Sequence, residues 1–173
     1  VSFISNHDFL EAVQFVIDAI EKAEEKAEEK IYSNVLDPFS AIFESIYLNL
    51  SLSDWLKKEK ARQIQKTMQN SIGEFHQKLL GHIYGWEDLG KGGVVDIRNE
   101  SRKIVAEVKN KFNTTKGNHK VNVYDDLGKV VKANSDYVGY YVEVIPQSAK
   151  RYDKPFSPPD NKTKTRRKPV ENI

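Results

Sequence analysis

The chain contains no cysteine among its 173 residues. It therefore has no disulfide framework and no thiolate metal site, a usage that fits a reducing cytoplasm. It also lacks any apolar run near the roughly 20 residues that a membrane-spanning helix needs, and no signal-peptide pattern precedes the first helical stretch. Overall charge is nearly balanced at +2, so net charge alone names no partner. What is left is a chain long enough to bury a core, expected in the cytoplasm and read as one domain with a helical extension. It begins at Val1 instead of Met and stops in a polar tail, so residues of the natural ends are expected beyond it.

Balanced charge conceals an uneven distribution. Residues 1–30 carry eight acidic and three basic side chains, a net −5, whereas 147–173 carry eight basic and three acidic ones, a net +5. This asymmetry predicts that the C-terminal part faces a polyanion and that the N-terminal helix does not.

Periodicity gives the framework. Ser5 or Asn6 can cap a first helix with Phe9, Leu10, Val13, Val16, Ile17 and Ile20 at helical spacing. It continues into AEEKAEEK, where the like-charge pair Lys22–Lys26 is offset by Lys22–Glu25 and Lys26–Glu29. Asp37 and Pro38 open a second helix whose stripe Phe39, Ile42, Phe43, Ile46 and Tyr47 is expected to be buried. Ser53 is expected to cap a long third helix, to about Leu80, with Leu56, Ile64, Met68, Ile72, Phe75 and Leu79 against a sheet. Gly73 inside it suggests a close backbone approach, since helices disfavour glycine by about 1 kcal/mol. His76 is read as structural or as facing phosphate.

Residues 82–89 are expected to form a first strand, with Trp86 half buried. A hairpin follows, with strands over 94–98 and 103–109 and a turn at 99–102. Residues 110–120 read as a polar recognition loop. Then comes a helix from Val121 to about Asn134, with Val123, Tyr124, Leu127, Val130 and Val131 inward. A strand over 137–145 ends at Pro146. The remaining 147–173 has too few apolar residues for its own core and is expected to be mobile without a partner. The boundaries are a helical region over 1–80, a catalytic sheet with its crossover helix over 81–146, and a basic tail over 147–173.

The hairpin holds charges that strands usually exclude. Alternation puts Val105, Glu107 and Lys109 on one face of the second strand and Ile104, Ala106 and Val108 on the other. A turn centred between Glu100 and Ser101 puts Asp96 opposite Val105, with Glu107 its diagonal neighbour about 7–8 Å away by backbone. Two carboxylates so placed can share a divalent metal, and Lys109 lies one step along. The bland alternative is a solvated strand face.

Val95-Asp96 followed by Glu107-Val108-Lys109 resembles the PD-(D/E)xK signature of Mg²⁺-dependent nucleases, with valine standing where the signature has proline. The wider run, from IGEFHQKLLG through GWEDLGKGGVVDIRNESRKIVAEVKNKFNTTKGNH, resembles the type II restriction endonucleases that cut GGNCC- or GGWCC-type sites. The similarity extends over roughly residues 70–172. It implies an α/β (α+β) fold, with a helical N-terminal part packed on a mixed β-sheet core of the restriction-endonuclease type. It further implies Asp96, Glu107 and Lys109 as catalytic residues, with Glu74 on the preceding helix as a fourth. Mg²⁺, for which Mn²⁺ can substitute, would be held by Asp96, Glu107 and the Val108 carbonyl. The products would carry 5′-phosphate and 3′-hydroxyl ends.

Expected DNA contacts are Lys111, Asn113, Lys116, Asn118, His119 and Lys120 in the loop, and Arg151, Lys164, Arg166 and Arg167 in the tail. Guanine reading calls for Arg or Lys in the major groove, and a near-palindromic duplex target favours a homodimer. A non-cleaving nucleic-acid-binding module on the same fold is the competing reading. It has no use for two carboxylates facing a phosphate.

Overall fold

The computed structural model describes residues 2–90, 92–148, 150–159 and 172–173. It divides into two compact units, Val1–Ala12 with Gly73–Ile173, and Val13–Ile72. Helices α1 (Asn6–Glu25) and α4 (Leu52–Gly81) each run from one unit into the other. α2 (Ala27–Lys30) and α3 (Pro38–Leu48) belong to the second.

Local hydrogen bonds explain where the helices begin. Ser5 Oγ accepts the Asp8 N–H at 3.0 Å and starts α1, and Asp37 accepts the Phe39 N–H ahead of Pro38 in α3. α4 starts two residues earlier than expected, because Ser51, not Ser53, caps it. The Ser51 hydroxyl accepts the Asp54 N–H at 3.2 Å and donates to the Asp54 carboxylate at 2.7 Å, a reciprocal cap.

The helical unit buries little. Ile31 and Trp55 are each 2% exposed, and the Trp55 indole N–H donates to Glu44, which also holds Lys58 and Arg62. The α3 stripe departs from expectation. Phe39, Ile42, Phe43, Ile46 and Tyr47 are all exposed, Tyr47 at 86%, because helical spacing builds an apolar face without supplying a surface to cover it. Gly73 is likewise no point of close approach, since a Cβ there would meet nothing within 4 Å.

The other unit is α+β. Strands β1 (Glu87–Asp88), β2 (Ile97–Asn99), β3 (Ile104–Lys111) and β4 (Val138–Ile145) form one mixed sheet in that order. The first three are antiparallel neighbours, and β4 runs parallel to β3 after the crossover helix α5 (Gly117–Ala133). The expected first strand over 82–89 shrinks to β1, because α4 continues to Gly81 and the chain then turns until Trp86, which is half-buried as expected.

Both faces of β3 are covered, which the hairpin alone did not reveal. Val105 packs with Val95, Val123, Leu127 and Tyr137. Ala106 and Val108 pack with Ile97, and Leu80, Trp86 and Val142 lie against them. The α5 inner face is as expected, with Val123, Tyr124, Leu127 and Val131 all buried. Gly139 lets that helix sit close, because a Cβ there would lie 3.4 Å from both Leu127 and Val131.

The described residues after β4 pack on the sheet at Phe156 and Ile173. Phe156 stacks on Tyr141 with ring centres 4.5 Å apart and meets Tyr124 edge-on. Ile173 packs on the same core, the Asn172 carbonyl accepts the Gly139 N–H, and the Ile173 carbonyl accepts the Phe156 N–H. Stacking on the sheet thus gives Phe156 a core that its own stretch of sequence does not supply. Lys162, Lys164, Arg166, Arg167 and Lys168 lie outside the described residues.

Candidate active site

The hairpin turn falls at residues 100–103, with Lys103 at positive φ. This moves the pairing two residues from expectation, to Ile97↔Ala106 and Arg98↔Val105. An even shift preserves the side-chain faces. The strand before Ile97 then departs from regular pairing. The Asp96 N–H donates to the Ala106 carbonyl at 3.1 Å while Ile97 pairs with the same residue, so two residues oppose one. That is a β-bulge, a device that re-aims side chains beside functional sites. It accounts for β2 starting at Ile97 instead of 94. It also lets Val95, the residue in the proline position of the signature, join the α5-side core.

The bulge fixes Asp96 from several directions. Its carboxylate Oδ2 accepts the Val108 N–H at 2.7 Å. Its carbonyl accepts from the Leu89 N–H and from Gln77 Nε2 at 3.2 Å. Lys109 Nζ lies 3.6 Å from Asp96 Oδ2 and 2.6 Å from Glu107 Oε1. Asp96, Glu107 and Lys109 thus meet, as alternation predicted, and their side chains are 22%, 15% and 18% exposed. Burial pushes the Glu107 carboxyl up from its ordinary value. The Lys109 hydrogen bond opposes that rise, and the negative charges of Asp96 and Asp126 add to it.

This donor set fits a hard divalent cation. Two carboxylates face a single ammonium, so the cluster carries excess negative charge in a partly desolvated place, and its free donors are oxygens of the kind Mg²⁺ prefers. Glu74 is half-buried on α4, one turn before Gln77. Because Gln77 touches Asp96, that part of α4 lies beside the cluster. His76 reads as structural. Burial lowers its pKa, and its Nε2 pairs with Asn110 Oδ1 at 3.1 Å.

The expected recognition loop is shorter than 110–120. β3 runs on to Lys111 and α5 starts at Gly117, because the backbone of the β3 end stays paired with Ile145. Lys111, Asn113, Lys116, Asn118 and His119 are exposed at this end of the sheet, as is Arg151. Lys120 differs, since its Nζ lies 3.1 Å from Glu143 Oε1 and over the Tyr141 ring. Glu143 is a residue the sequence reading missed. Its side chain is 7% exposed, it stands level with Lys109 in the β3–β4 register, and it also accepts from the Tyr152 hydroxyl. The signal was available, since an acid within the apolar run YVGYYVEVI is as anomalous as Asp96.

The family model for Eco47II restriction endonuclease matches residues 1–173. Type II restriction enzyme Eco47II of Escherichia coli is 41% identical over 162 residues, covering 91% of this chain and 67% of that protein. Type II restriction enzyme Sau96I of Staphylococcus aureus is 34% identical over 146 residues, covering 84% of this chain and 56% of that one. The chain thus spans about two thirds of one relative and little more than half of the other. No solved structure matches it significantly.

Proposed function

The chain belongs to the Eco47II restriction endonuclease family, and from that premise we propose that it is the catalytic part of a Mg²⁺-dependent, site-specific double-strand DNA endonuclease of a restriction-modification system. The observation that carries the reading is the convergence of Asp96, Glu107 and Lys109 on one another beside the bulge. A module that only binds DNA gains nothing from two partly buried carboxylates at such a place.

Asp96, Glu107 and the Val108 carbonyl would hold the Mg²⁺, with Mn²⁺ able to replace it. When bound, the ion polarises the scissile phosphate and acidifies a water ligand. The residues do the rest. Asp96 is held in one rotamer by the Val108 N–H, so little reorganisation is needed at the reaction. Lys109 orients the attacking water and stabilises the charge that grows at phosphorus. Breaking the P–O3′ bond leaves a 5′-phosphate and a 3′-hydroxyl. Glu74 supports the ion or its water from α4.

Specificity belongs to basic side chains, because carboxylates cannot donate to guanine O6 and N7. The exposed Lys111, Asn113, Lys116, Asn118 and His119 serve as phosphate or base contacts, together with Arg151 and the tail residues Lys164, Arg166 and Arg167. Lys120 joins them through its pairing with Glu143. The target is of the GGNCC or GGWCC type. The enzyme works as a cytoplasmic homodimer, each subunit cutting one strand of a two-fold site.

The test is incubation with unmethylated plasmid and Mg²⁺, followed by mapping of fragment ends. Discrete fragments with 5′-phosphates at one short sequence are expected. Intact plasmid under Mg²⁺ and Mn²⁺ alike, from folded protein, would refute the reading.

A further inference from the structure

The acidic N-terminal helix hides a basic groove. Every basic residue of 1–30, namely Lys22, Lys26 and Lys30, lines the same cavity of about 580 Å³. They stack one turn apart, because the Lys26 N–H donates to the Lys22 carbonyl and the Lys30 N–H to the Lys26 carbonyl. Helical hydrogen bonding thus runs through the break between α1 and α2. Lys60 and Lys66 of α4 line the groove too, along with Gln63, Thr67 and Asn70, and among the described residues no acidic one lines it. Ala19, Ala23 and Ala27 keep its α1–α2 side low.

The expected pairs Lys22–Glu25 and Lys26–Glu29 do not form. Among the described residues Lys22, Lys26, Lys30 and Lys66 make no ion pair, and only Lys60 does, with the exposed Glu28. Lysines repeating at four-residue spacing destabilise a helix, so a row of them is kept at a cost to the fold. Their arrangement answers one ligand chemistry, a chain of evenly spaced negative charges. Net charge sums over all faces of a helix, while a ligand meets one, so the acidic balance of 1–30 does not describe this face.

We propose that this groove binds the phosphodiester backbone of duplex DNA, adding a sequence-independent contact to the site-specific ones. Only the choice of DNA as the polyanion rests on the nuclease reading. Lysine offers point charges and no base-reading fork here, so the groove contributes affinity and not selectivity.

The test uses the full chain with Lys22, Lys26 and Lys30 all changed to Gln, which keeps helix propensity. Circular dichroism establishes equal folding. Fluorescence anisotropy then follows binding to a cognate and a scrambled DNA duplex in Ca²⁺ over a range of salt. Three lost phosphate contacts should reduce the slope of log K against log salt by about 2.7. Both duplexes should weaken by the same factor, and the cleavage rate at saturating DNA should stay unchanged. An unchanged salt slope overturns the proposal, as does weakening confined to the cognate duplex. So does an undiminished affinity for DNA with a lost affinity for duplex RNA, which would make RNA the occupant. If the wild-type protein cuts no DNA, the nuclease reading fails on its own, while the salt slope still decides the groove.

Discussion

Glu107→Gln should make the metal-free protein more stable while removing its activity. The wild-type cluster holds two carboxylates and one ammonium, all partly buried. The variant holds one of each and is neutral. Because burial raises the folded-state pKa of Glu107 above its ordinary 4.5, the folded state binds its proton more tightly than the unfolded chain. Its contribution is fully favourable below the ordinary value and is lost as pH rises through the folded value. Over that window each differentially bound proton changes stability by up to about 1.4 kcal/mol per pH unit. The glutamine variant has no such slope from this position. Metal should restore the difference in the wild type alone. At one hundred times its dissociation constant, a one-site ligand adds about 2.7 kcal/mol, or roughly 5–10 °C in Tm for a chain of this size. Thermal melts from pH 4 to 8, in EDTA and in Mg²⁺ or Mn²⁺, read both effects. The same pH slope and the same metal response in the two proteins would refute the reasoning.

Asp96→Asn keeps an oxygen that can accept the Val108 N–H but removes a charge, so cleavage should fall at least about a hundredfold with a Tm within a few degrees of wild type. Plasmid cleavage rates beside melts separate the two. Phe156→Ala should cost about 2–3 kcal/mol, below the 3–5 of a fully buried ring, because Phe156 is half-buried; urea unfolding measures it. Gly81→Ala should destabilise by about 1–3 kcal/mol, since its Cβ would lie 2.7 Å from Asp88 Cβ and 2.9 Å from the Asp88 nitrogen. Arg166→Ala and Arg167→Ala should distinguish base reading from clamping. A base-reading arginine loses about 1–3 kcal/mol on the cognate duplex and little on a scrambled one, and equal loss on both would assign the tail to phosphate.

Much of the site could be read from the chain because alternation and helical periodicity are local. Glu107 and Lys109 share a face of β3 whatever the rest of the fold does, and Val123, Tyr124, Leu127 and Val131 mark one side of α5 by spacing alone. The bulge at Asp96 could not be read, since it depends on which carbonyl of β3 the Asp96 N–H finds. The shifted turn had a separate cause, Lys103 taking a left-handed backbone. The α3 stripe shows the limit most plainly. Its period was right, and period carries no information about whether a second surface is present. Glu143 was legible as an acid within an apolar strand, but its partners, Lys120 and Tyr152, were not, since they come from α5 and from the segment beyond β4.

Among the described residues β4 is the outermost strand of the sheet, and the Gly139 N–H turned away from β3 is satisfied by the Asn172 carbonyl. An open outer strand is a template for strand addition from another molecule. Here a second sheet approaching at Gly139 would first have to displace residues 172–173 and, with them, the backbone bond to Phe156. Hydrogen exchange makes this visible. The Gly139 amide should exchange on the time scale of interior amides and not of an edge. Any substitution that loosens Ile173 from the core should accelerate it before the amides of β3 respond.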